Sequence, residues 1–268
     1  MLILVEADPP AVSRRAAALV ADLITRNPRA VLGLAAGATP RGLYQDLVRR
    51  HGEGLDFAGL TVFGLDEYVD LPVDHPASCT GALRHALIDR VNLEPSRVHL
   101  LDAIPSGDVT AYCTAHERKI AEAGGINLQL LGLGMNGHIG FNEPGSSLSG
   151  RTHPVALTAS TRAVNRPGFP FPGEVPTAAV TMGIGTILDA RLVLLLATGA
   201  AKAEIVAQFI EGPLTARVPA SALQMHADAV VLLDEAAAAK LRYRDDYAAE
   251  AGVRAQLVGK SATVPSSA

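Results

Sequence analysis

The chain has 268 residues, of which 49% are hydrophobic and 4% aromatic, and its formal net charge is −4. This weakly acidic composition offers no basic surface for nucleic acid, and no apolar run reaches the length of a membrane span, so neither partner is expected. Two cysteines, and an amino terminus without the basic start and apolar core of a signal peptide, predict a cytoplasmic protein.

Hydrophobic periodicity predicts alternating strands and helices in a single domain over residues 1–250. The apolar runs that predict buried strands are 2–5, 30–35, 60–65, 98–101, 127–133, 178–182, 191–197 and 229–233. A composition rich in Ala, Leu and Val indicates a Rossmann-like α/β fold, with an open, mostly parallel sheet flanked by helices. We expect Asp234 to cap an alanine-rich helix, and residues 251–268 to form a poorly ordered tail.

The second of these runs leads into a turn of small residues, Gly37-Ala38-Thr39-Pro40, which precedes a helical pattern. Unpaired N–H groups and the positive end of a helix dipole converge on such a turn, and the Thr39 hydroxyl can donate as well. The turn therefore predicts an anion site, although an ordinary connection between a strand and a helix has the same pattern. It is not a Walker A loop, because Gly-Lys-Ser/Thr is missing.

Two adjacent acids, Asp66 and Glu67, follow the run at 60–65. Side chains of neighbouring residues on an extended segment point in opposite directions. One acid can therefore face a site at the carboxyl edge of the sheet while the other makes structural contacts, and we assign the chemistry to Asp66. The alternative is that the pair only caps a helix.

The segment after the run at 127–133 is too glycine-rich and too polar to be core. It contains His138 and Glu143, which could supply a general base and the group that orients it. The alternating glycines indicate backbone that lies close to another group or adopts positive φ, which favours a site over a histidine that caps a turn. A dinucleotide site is disfavoured, because no helix pattern or ribose-binding acid follows.

Basic residues follow in two further places. Lys202 lies in the first turn of the helix after the run at 191–197, where a cation opposes the helix dipole and an anionic ligand would compensate for it. Arg166 lies at the end of a polar segment. The Pro, Gly and Phe residues of 167–176 predict an ordered or lid-like loop.

Together these segments resemble the glucosamine-6-phosphate deaminase family over most of the chain, from about residue 30 to 241. The similar motifs are the phosphate loop Leu32-Gly33-Leu34…Gly37…Thr39-Pro40, the catalytic strand end Leu65-Asp66-Glu67-Tyr68-Val69 and the ring-opening motif Asn136-Gly137-His138-Ile139-Gly140-Phe141-Asn142-Glu143-Pro144. Lys202 falls where the family keeps a basic phosphate ligand, and Arg166 does so with a gap of one residue.

The resemblance implies conversion of D-glucosamine 6-phosphate to D-fructose 6-phosphate and ammonia, without a cofactor or metal. Asp66 would move a proton between C2 and C1, and His138, held by Glu143, would open the sugar ring. Asn136 stands where well-known members carry an Asp, and an amide can orient a neighbour but cannot exchange protons. The residues implied as phosphate ligands are Gly37, Ala38, Thr39, Arg166 and Lys202. A sugar phosphate is thus the expected partner, and a homo-oligomer is compatible with the sequence.

Two other functions remain open at this point. A 6-phosphogluconolactonase would share the fold, but its loop is expected to read Asp-Gly-His-Thr-Ala-Ser, whereas this chain has Asn136-Gly137-His138-Ile139-Gly140-Phe141. Asn136 would be compatible with a non-catalytic sugar-phosphate sensor, but the presence of Asp66, His138 and Glu143 argues against one.

The resemblance also bears on regulation. Some members are activated by N-acetylglucosamine 6-phosphate, whose phosphate they hold with serines, an Arg and a Lys. Ser146 and Ser147 keep the serines, but His153 and Val155 occupy the positions of the two cations. The resemblance therefore implies kinetics that do not respond to this effector at neutral pH.

Overall fold

Strands and helices alternate along the chain in the computed structural model, which describes residues 1–102, 104, 107–169 and 175–257. The strands are β1 (Leu2–Glu6), β2 (Val31–Leu34), β3 (Thr61–Gly64), β4 (Asp66–Tyr68), β5 (Val98–His99), β6 (Leu128–Gly132), β7 (His153–Ala156), β8 (Ala178–Thr181), β9 (Leu192–Ala197) and β10 (Ala229–Asp234). The α-helices are α1 (Pro9–Arg26), α2 (Arg41–Gly52), α3 (Cys79–Ala86), α4 (Val109–Glu122), α5 (Ala159–Asn165), α6 (Ile184–Leu188), α7 (Ala203–Glu211) and α8 (Arg244–Leu257).

The main sheet has the strand order β1-β10-β9-β6-β2-β3-β5, and each of its described strand pairs is parallel. The chain adds β3 and β5 on one side of β2, and β6, β9 and β10 on the other. The order therefore reverses between β2 and β6, which is where open α/β sheets bind their ligands. The prediction of an open, mostly parallel sheet flanked by helices is confirmed.

Both faces of this sheet are buried, as β9 shows most clearly. Leu192, Leu194 and Leu196 belong to one apolar cluster together with α1 and α2, whereas Val193 and Leu195 belong to another with α6 and α7. A strand that is covered on both sides has a continuous run of apolar residues, and this run is what predicted β9 in the sequence. Each fully buried Leu or Val contributes about 1.5–3 kcal/mol, so the sheet is a rigid base for the loops at its edge.

A smaller antiparallel sheet, in the order β4-β8-β7, stands beside the carboxyl edge of the main one. The chain leaves the main sheet at Leu65, and Asp66 then pairs with Thr181 on β8. The strand β7 and the helix α5 lie in a segment that the sequence identified only as polar. This second sheet fixes the backbone on which Asp66 is carried.

Two expectations for the carboxyl-terminal part differ from the structure. Residues 235–240 form turns instead of an alanine-rich helix, and the Asp234 carboxylate accepts hydrogen bonds from Gly199 N and Ala237 N. The helix α8 continues to Leu257, within the segment expected to be poorly ordered. The remainder of that tail, 258–268, and the part of the predicted lid-like loop at 170–174 lie outside the described residues.

Candidate active site

A cleft of about 1290 Å³ opens at the carboxyl edge of the sheet. Four neighbouring strands, β9, β6, β2 and β3, each lead to one part of its lining. The loop at 37–39 follows β2, Asp66 follows β3, His138 follows β6 and Lys202 follows β9. Because carboxyl ends of parallel strands meet at one edge, motifs that are far apart in the sequence converge here.

Three side chains of the loop after β6 form a hydrogen-bonded chain. Asn136 Nδ2 donates to Glu143 Oε2 at 2.8 Å, and Asn136 Oδ1 lies 2.7 Å from His138 Nδ1. A carboxylate only accepts, so the Asn136 amide must turn its N–H₂ group to Glu143 and its oxygen to the imidazole. The proton on His138 therefore resides on Nδ1, and Nε2 keeps a lone pair. Glu143 acts on His138 through Asn136, since its own Oε2 is 3.8 Å from Nδ1.

The surroundings of His138 keep the imidazole neutral. Burial chiefly, and Lys202 in addition, lower the pKa of His138, against the opposing effect of Glu143. A neutral imidazole with a free Nε2 can take a proton near pH 7. Gly134 makes room for the ring, since a Cβ there would lie 2.3 Å from His138 Nε2.

Asp66 lines the same cleft, on the strand end that leaves the main sheet. Burial, and next the charge of Glu67, raise the pKa of Asp66 to about 7. A carboxyl group of this kind can both accept and return a proton near neutral pH. Gly140 brings the loop of His138 close to it: its φ is +57°, and a Cβ there would lie 3.4 Å from Asp66 Oδ2 and 2.6 Å from Thr181 Oγ1.

Glu67 points the other way, as the alternation along the strand predicted. Its side chain is 2% exposed and accepts from Ser78 Oγ at 2.8 Å, from Thr80 N at 2.8 Å and from Cys79 N at 3.1 Å. These donors belong to the N-cap and first turn of α3. The two acids therefore have separate positions, one in the cleft wall and one inside the protein.

The loop at 37–39 and Lys202 lie in the same cleft. Gly37 has φ +125°, a conformation that glycine adopts without strain, and the loop leads directly into α2. Lys202 Nζ donates to Leu133 O at 2.6 Å, and burial lowers its pKa. Among the described residues the hydrogen bond of Lys202 Nζ goes to a carbonyl and none goes to a carboxylate, so the ammonium retains donors for an anion.

Arg166 is placed differently from the other predicted ligands. It is exposed, in the short 3-10 helix Arg166–Gly168 that follows α5, and it does not line the cleft. The cleft wall on that side consists of Ser160, Thr161, Val164 and Asn165.

Several residues of the site carried no signal in the sequence. Thr158 N and Oγ1 donate to Glu143 Oε1, at 3.3 Å and 3.1 Å. Asn165 Nδ2 donates to Tyr68 Oη at 2.8 Å and so connects α5 with β4. Cys79, in the first turn of α3, also lines the cleft. These contacts join segments distant in sequence, and only a motif already known to include them would have indicated them.

In the ranges that the structure describes, no three His, Cys, Asp or Glu side chains are grouped so that they could hold a metal ion. Within the same ranges, no helix is both long and apolar enough to cross a membrane.

The sequence profile of a family described as glucosamine-6-phosphate isomerases/6-phosphogluconolactonase matches residues 8–232. The chain belongs to this family.

Two relatives in this family are identical to the chain at about half of the aligned positions. A protein of Pseudarthrobacter chlorophenolicus named glucosamine-6-phosphate deaminase is 49% identical, over 88% of this chain and 91% of its own length. A protein of the same name from Arthrobacter sp. is 50% identical, over 88% of this chain and 92% of its own. The resemblance seen in the motifs is thus confirmed over nearly the whole length.

Solved structures extend the comparison. A glucosamine-6-phosphate deaminase described as monomeric superposes on this family member with a TM-score of 0.87 at 41% identity, covering 90% of this chain and 100% of that one. The 6-phosphogluconolactonase of Trypanosoma brucei superposes with a TM-score of 0.72 at 23% identity, covering 90% and 98% of the two chains. At that identity the second likeness concerns the fold alone.

Proposed function

We propose that this protein converts D-glucosamine 6-phosphate to D-fructose 6-phosphate and ammonia, without a cofactor. The observation that carries the proposal is that one cleft contains a neutral histidine of fixed tautomer, a carboxyl group that titrates near neutrality and a lysine without a carboxylate partner among the described residues. An aldose–ketose isomerisation needs two groups that move protons at different atoms and an anchor for the phosphate.

The phosphate end of the substrate would bind to the loop at 37–39 and Lys202. The loop offers backbone N–H groups at the start of α2, and Lys202 adds a cation. This end takes no part in the chemistry, so its binding energy serves to hold the sugar ring between Asp66 and His138. Arg166 stays a predicted ligand that would have to move with the segment after α5 to reach the phosphate.

Ring opening would be the task of His138. Its Nε2 takes the proton of the C1 hydroxyl and returns it to the ring oxygen, which gives the open-chain aldehyde. Asn136 and Glu143 hold the imidazole in the tautomer that leaves Nε2 free. Asn136 does not exchange protons itself, so this arrangement needs only orientation from it.

Asp66 would then move the proton of the carbon chain. It takes the proton from C2, while the ammonium group of the substrate passes a proton to the C1 carbonyl oxygen, and a neutral enolamine forms. Delivery of the same proton to C1 yields an iminium ion at C2. Water adds to this carbon, ammonia leaves, and the ketose phosphate remains.

The test is an assay of ammonia and fructose 6-phosphate released from glucosamine 6-phosphate, beside hydrolysis of 6-phosphogluconolactone. We expect turnover only in the first reaction, and we expect Asp66→Asn to abolish it while a phosphorylated substrate analogue still binds in calorimetry. Lactone hydrolysis alone would establish the alternative enzyme, and binding without turnover by the wild type would establish a sensor. Activity of Asp66→Asn within a few-fold of wild type would remove Asp66 from its role.

Two other expectations stay predictions. A homo-oligomer is compatible with the sequence, and light scattering of the purified protein measures its state. A cytoplasmic location rests on the composition, and cell fractionation tests it.

A further inference from the structure

The end of β8 contacts both the strand of Asp66 and the loop of His138. Thr181, the last residue of β8, pairs with Asp66 in the antiparallel sheet, and residues directly opposite in such a pair carry their side chains on the same face. The next residue, Met182, donates its N–H group to Leu65 O at 2.8 Å. The backbone at the end of β8 is therefore fixed to the strand end that carries Asp66.

The same two residues of β8 and its end hold the loop after β6, which carries His138. Phe141 N donates to Thr181 Oγ1 at 3.1 Å, and Asn142 Nδ2 donates to Met182 O at 2.8 Å. Thr181 and Asn142 are fully buried, so water cannot replace these bonds. One short segment thus joins the two parts of the chain that carry the proton-transfer groups.

The hydroxyl of Thr181 acts on the geometry of the cleft. Its one proton goes to Met182 O at 3.2 Å, and a lone pair accepts the Phe141 N–H, so no proton is left for Asp66. The backbone of Gly140 lies against both side chains, since a Cβ there would be 2.6 Å from Thr181 Oγ1 and 3.4 Å from Asp66 Oδ2. The Thr181 oxygen therefore sets how closely the loop approaches Asp66.

We propose that Thr181 is a positioning residue that holds the loop of His138 at a fixed distance from Asp66. The two groups act at adjoining atoms of one bound sugar, so their separation must suit ring opening and proton transfer on the carbon chain alike. The hydrogen bonds of Thr181 exist whatever the cleft binds. Their consequence for the rate rests on the proposed function.

Thr181→Val tests the hydroxyl with little change of shape. It leaves the buried N–H group of Phe141 without a partner, and it places a methyl group where an oxygen now lies 3.1 Å from that nitrogen. Non-bonded heavy atoms pack at about 3.5–4.0 Å, so the loop must move away from β8. Thr181→Ser keeps the hydroxyl. Thr181→Ala removes it without adding a methyl group and serves if valine prevents folding.

Amide hydrogen exchange observes the link without reference to the reaction. The chain has six Phe, so labelling with [15N]phenylalanine gives few signals, and Phe141→Leu identifies that of Phe141. Relative to the amide of Phe209, buried in α7, we expect Phe141 to exchange roughly tenfold faster or more in Thr181→Val and Thr181→Ala. Thr181→Ser should keep the wild-type rate. Equal rates in all variants would overturn the proposal.

Kinetics test the positioning role, with Thr186→Val as the matched control. Thr186 is also buried, and its hydroxyl donates to Glu117 Oε1 at 2.6 Å, outside the cleft. Well below the melting temperatures, Thr181→Val should lower kcat roughly tenfold or more, because a small misplacement of reacting groups is costly. KM should stay nearly unchanged, since the loop at 37–39 and Lys202 are not altered. Thr181→Ser should restore kcat to within a few-fold, and Thr186→Val should melt earlier but keep its kcat.

Two kinetic outcomes would contradict the positioning role. One is a wild-type kcat in Thr181→Val although Phe141 exchanges faster, and the other is an equal loss of kcat in Thr186→Val. If the wild type released no ammonia from glucosamine 6-phosphate, the proposed function would fail, and the amide of Phe141 would still decide on the link.

Discussion

Thr158 contacts the carboxylate of Glu143 twice, through its backbone N–H at 3.3 Å and its hydroxyl at 3.1 Å. It is also the N-cap residue of α5, where its side chain accepts from Thr161 N. Helix α5 forms part of the cleft wall. One residue therefore connects the cleft wall with the carboxylate that orients His138 through Asn136.

The first prediction concerns this contact. Thr158→Val keeps the shape of the side chain but removes the hydroxyl, and a hydrogen bond to a charged group contributes about 1.5–3 kcal/mol. We expect kcat to fall roughly tenfold or more with little change in KM, and Thr158→Ser to recover most of it. Steady-state kinetics measure both, with Thr114→Val, the same change at an exposed position of α4 outside the cleft, as control. A Val variant as active as the wild type would show that Asn136 and the backbone N–H of residue 158 suffice to hold Glu143.

The second prediction concerns the space that Gly134 leaves for His138. A methyl group there would lie 2.3 Å from the imidazole, so Gly134→Ala must displace the ring. Misplacement of a reacting group by about 1 Å costs on the order of a hundredfold in rate. We expect kcat to fall by that order while the melting temperature changes little. Gly52→Ala, where the methyl meets no atom within 4 Å, is the control for a mere change of glycine.

The third prediction concerns the phosphate end. Lys202→Ala should chiefly raise KM, by roughly tenfold or more, because a charged contact of about 1.5–3 kcal/mol is lost equally in the ground and transition states. Lys240→Ala removes an exposed lysine that pairs with Glu204, and it should leave KM unchanged. Unchanged KM with a collapsed kcat in Lys202→Ala would assign this lysine to the chemistry instead.

The fourth prediction concerns acid stability. His116 is 6% exposed and packs edge-on against Phe63, and burial lowers its pKa to about 4. In the unfolded chain this side chain binds a proton near pH 6.5, so His116 contributes a loss of stability as the pH falls from about 6.5 to about 4. The loss due to His116 should be on the order of 3 kcal/mol. The raised pKa of Asp66 contributes with the opposite sign over the same range.

Urea unfolding at a series of pH values tests this prediction. Relative to the wild type, His116→Phe should lose less stability between pH 6.5 and 4, whereas His85→Gln, at an exposed position, should follow the wild type. Burial also lowers the pKa values of His99 and His138, and these contributions should remain in His116→Phe. An unaltered slope would mean that other groups determine the acid sensitivity.

The fifth prediction concerns regulation. Val155 packs against the apolar cluster that contains Tyr68 and Phe169, and His153 Nδ1 bonds to Arg151 O. Neither residue supplies the fixed cation that the effector site of regulated relatives would need at neutral pH. We expect hyperbolic substrate curves that N-acetylglucosamine 6-phosphate does not change. A sigmoidal curve that becomes hyperbolic with this compound would contradict the expectation.

Much of the chemistry could be assigned from the sequence, because it depends on residue types at fixed spacing within single loops. Asp66 next to Glu67, and Asn136, His138 and Glu143 within one glycine-rich segment, are local patterns. That Asp66 and Glu67 point in opposite directions, and that the other three side chains lie together, follows from backbone geometry over a few residues. The strands of the main sheet could be located for a similar reason, since burial on both faces requires continuous apolar runs.

The local sequence pattern gave the wrong element, or none, where a segment makes its hydrogen bonds with a distant part of the chain. The alanine-rich segment after Asp234 has helical propensity, yet Asp234 binds Gly199 N as well as Ala237 N, and the chain turns there. The sequence pattern did not predict β7 and α5, because both are polar. They are stabilised by distant partners: β7 pairs with β8, and the N-cap of α5 binds Glu143.

The sequence by itself thus determined which groups can react: a carboxyl, an imidazole and a lysine, each at the end of a strand. Only the tertiary structure decided that β9, β6, β2 and β3 are neighbours, so that these groups share one cleft. It alone also sets the burial that raises the pKa of Asp66 and lowers that of His138. Strand order, desolvation and contacts between loops depend on the packing of the whole chain, which no local spacing contains.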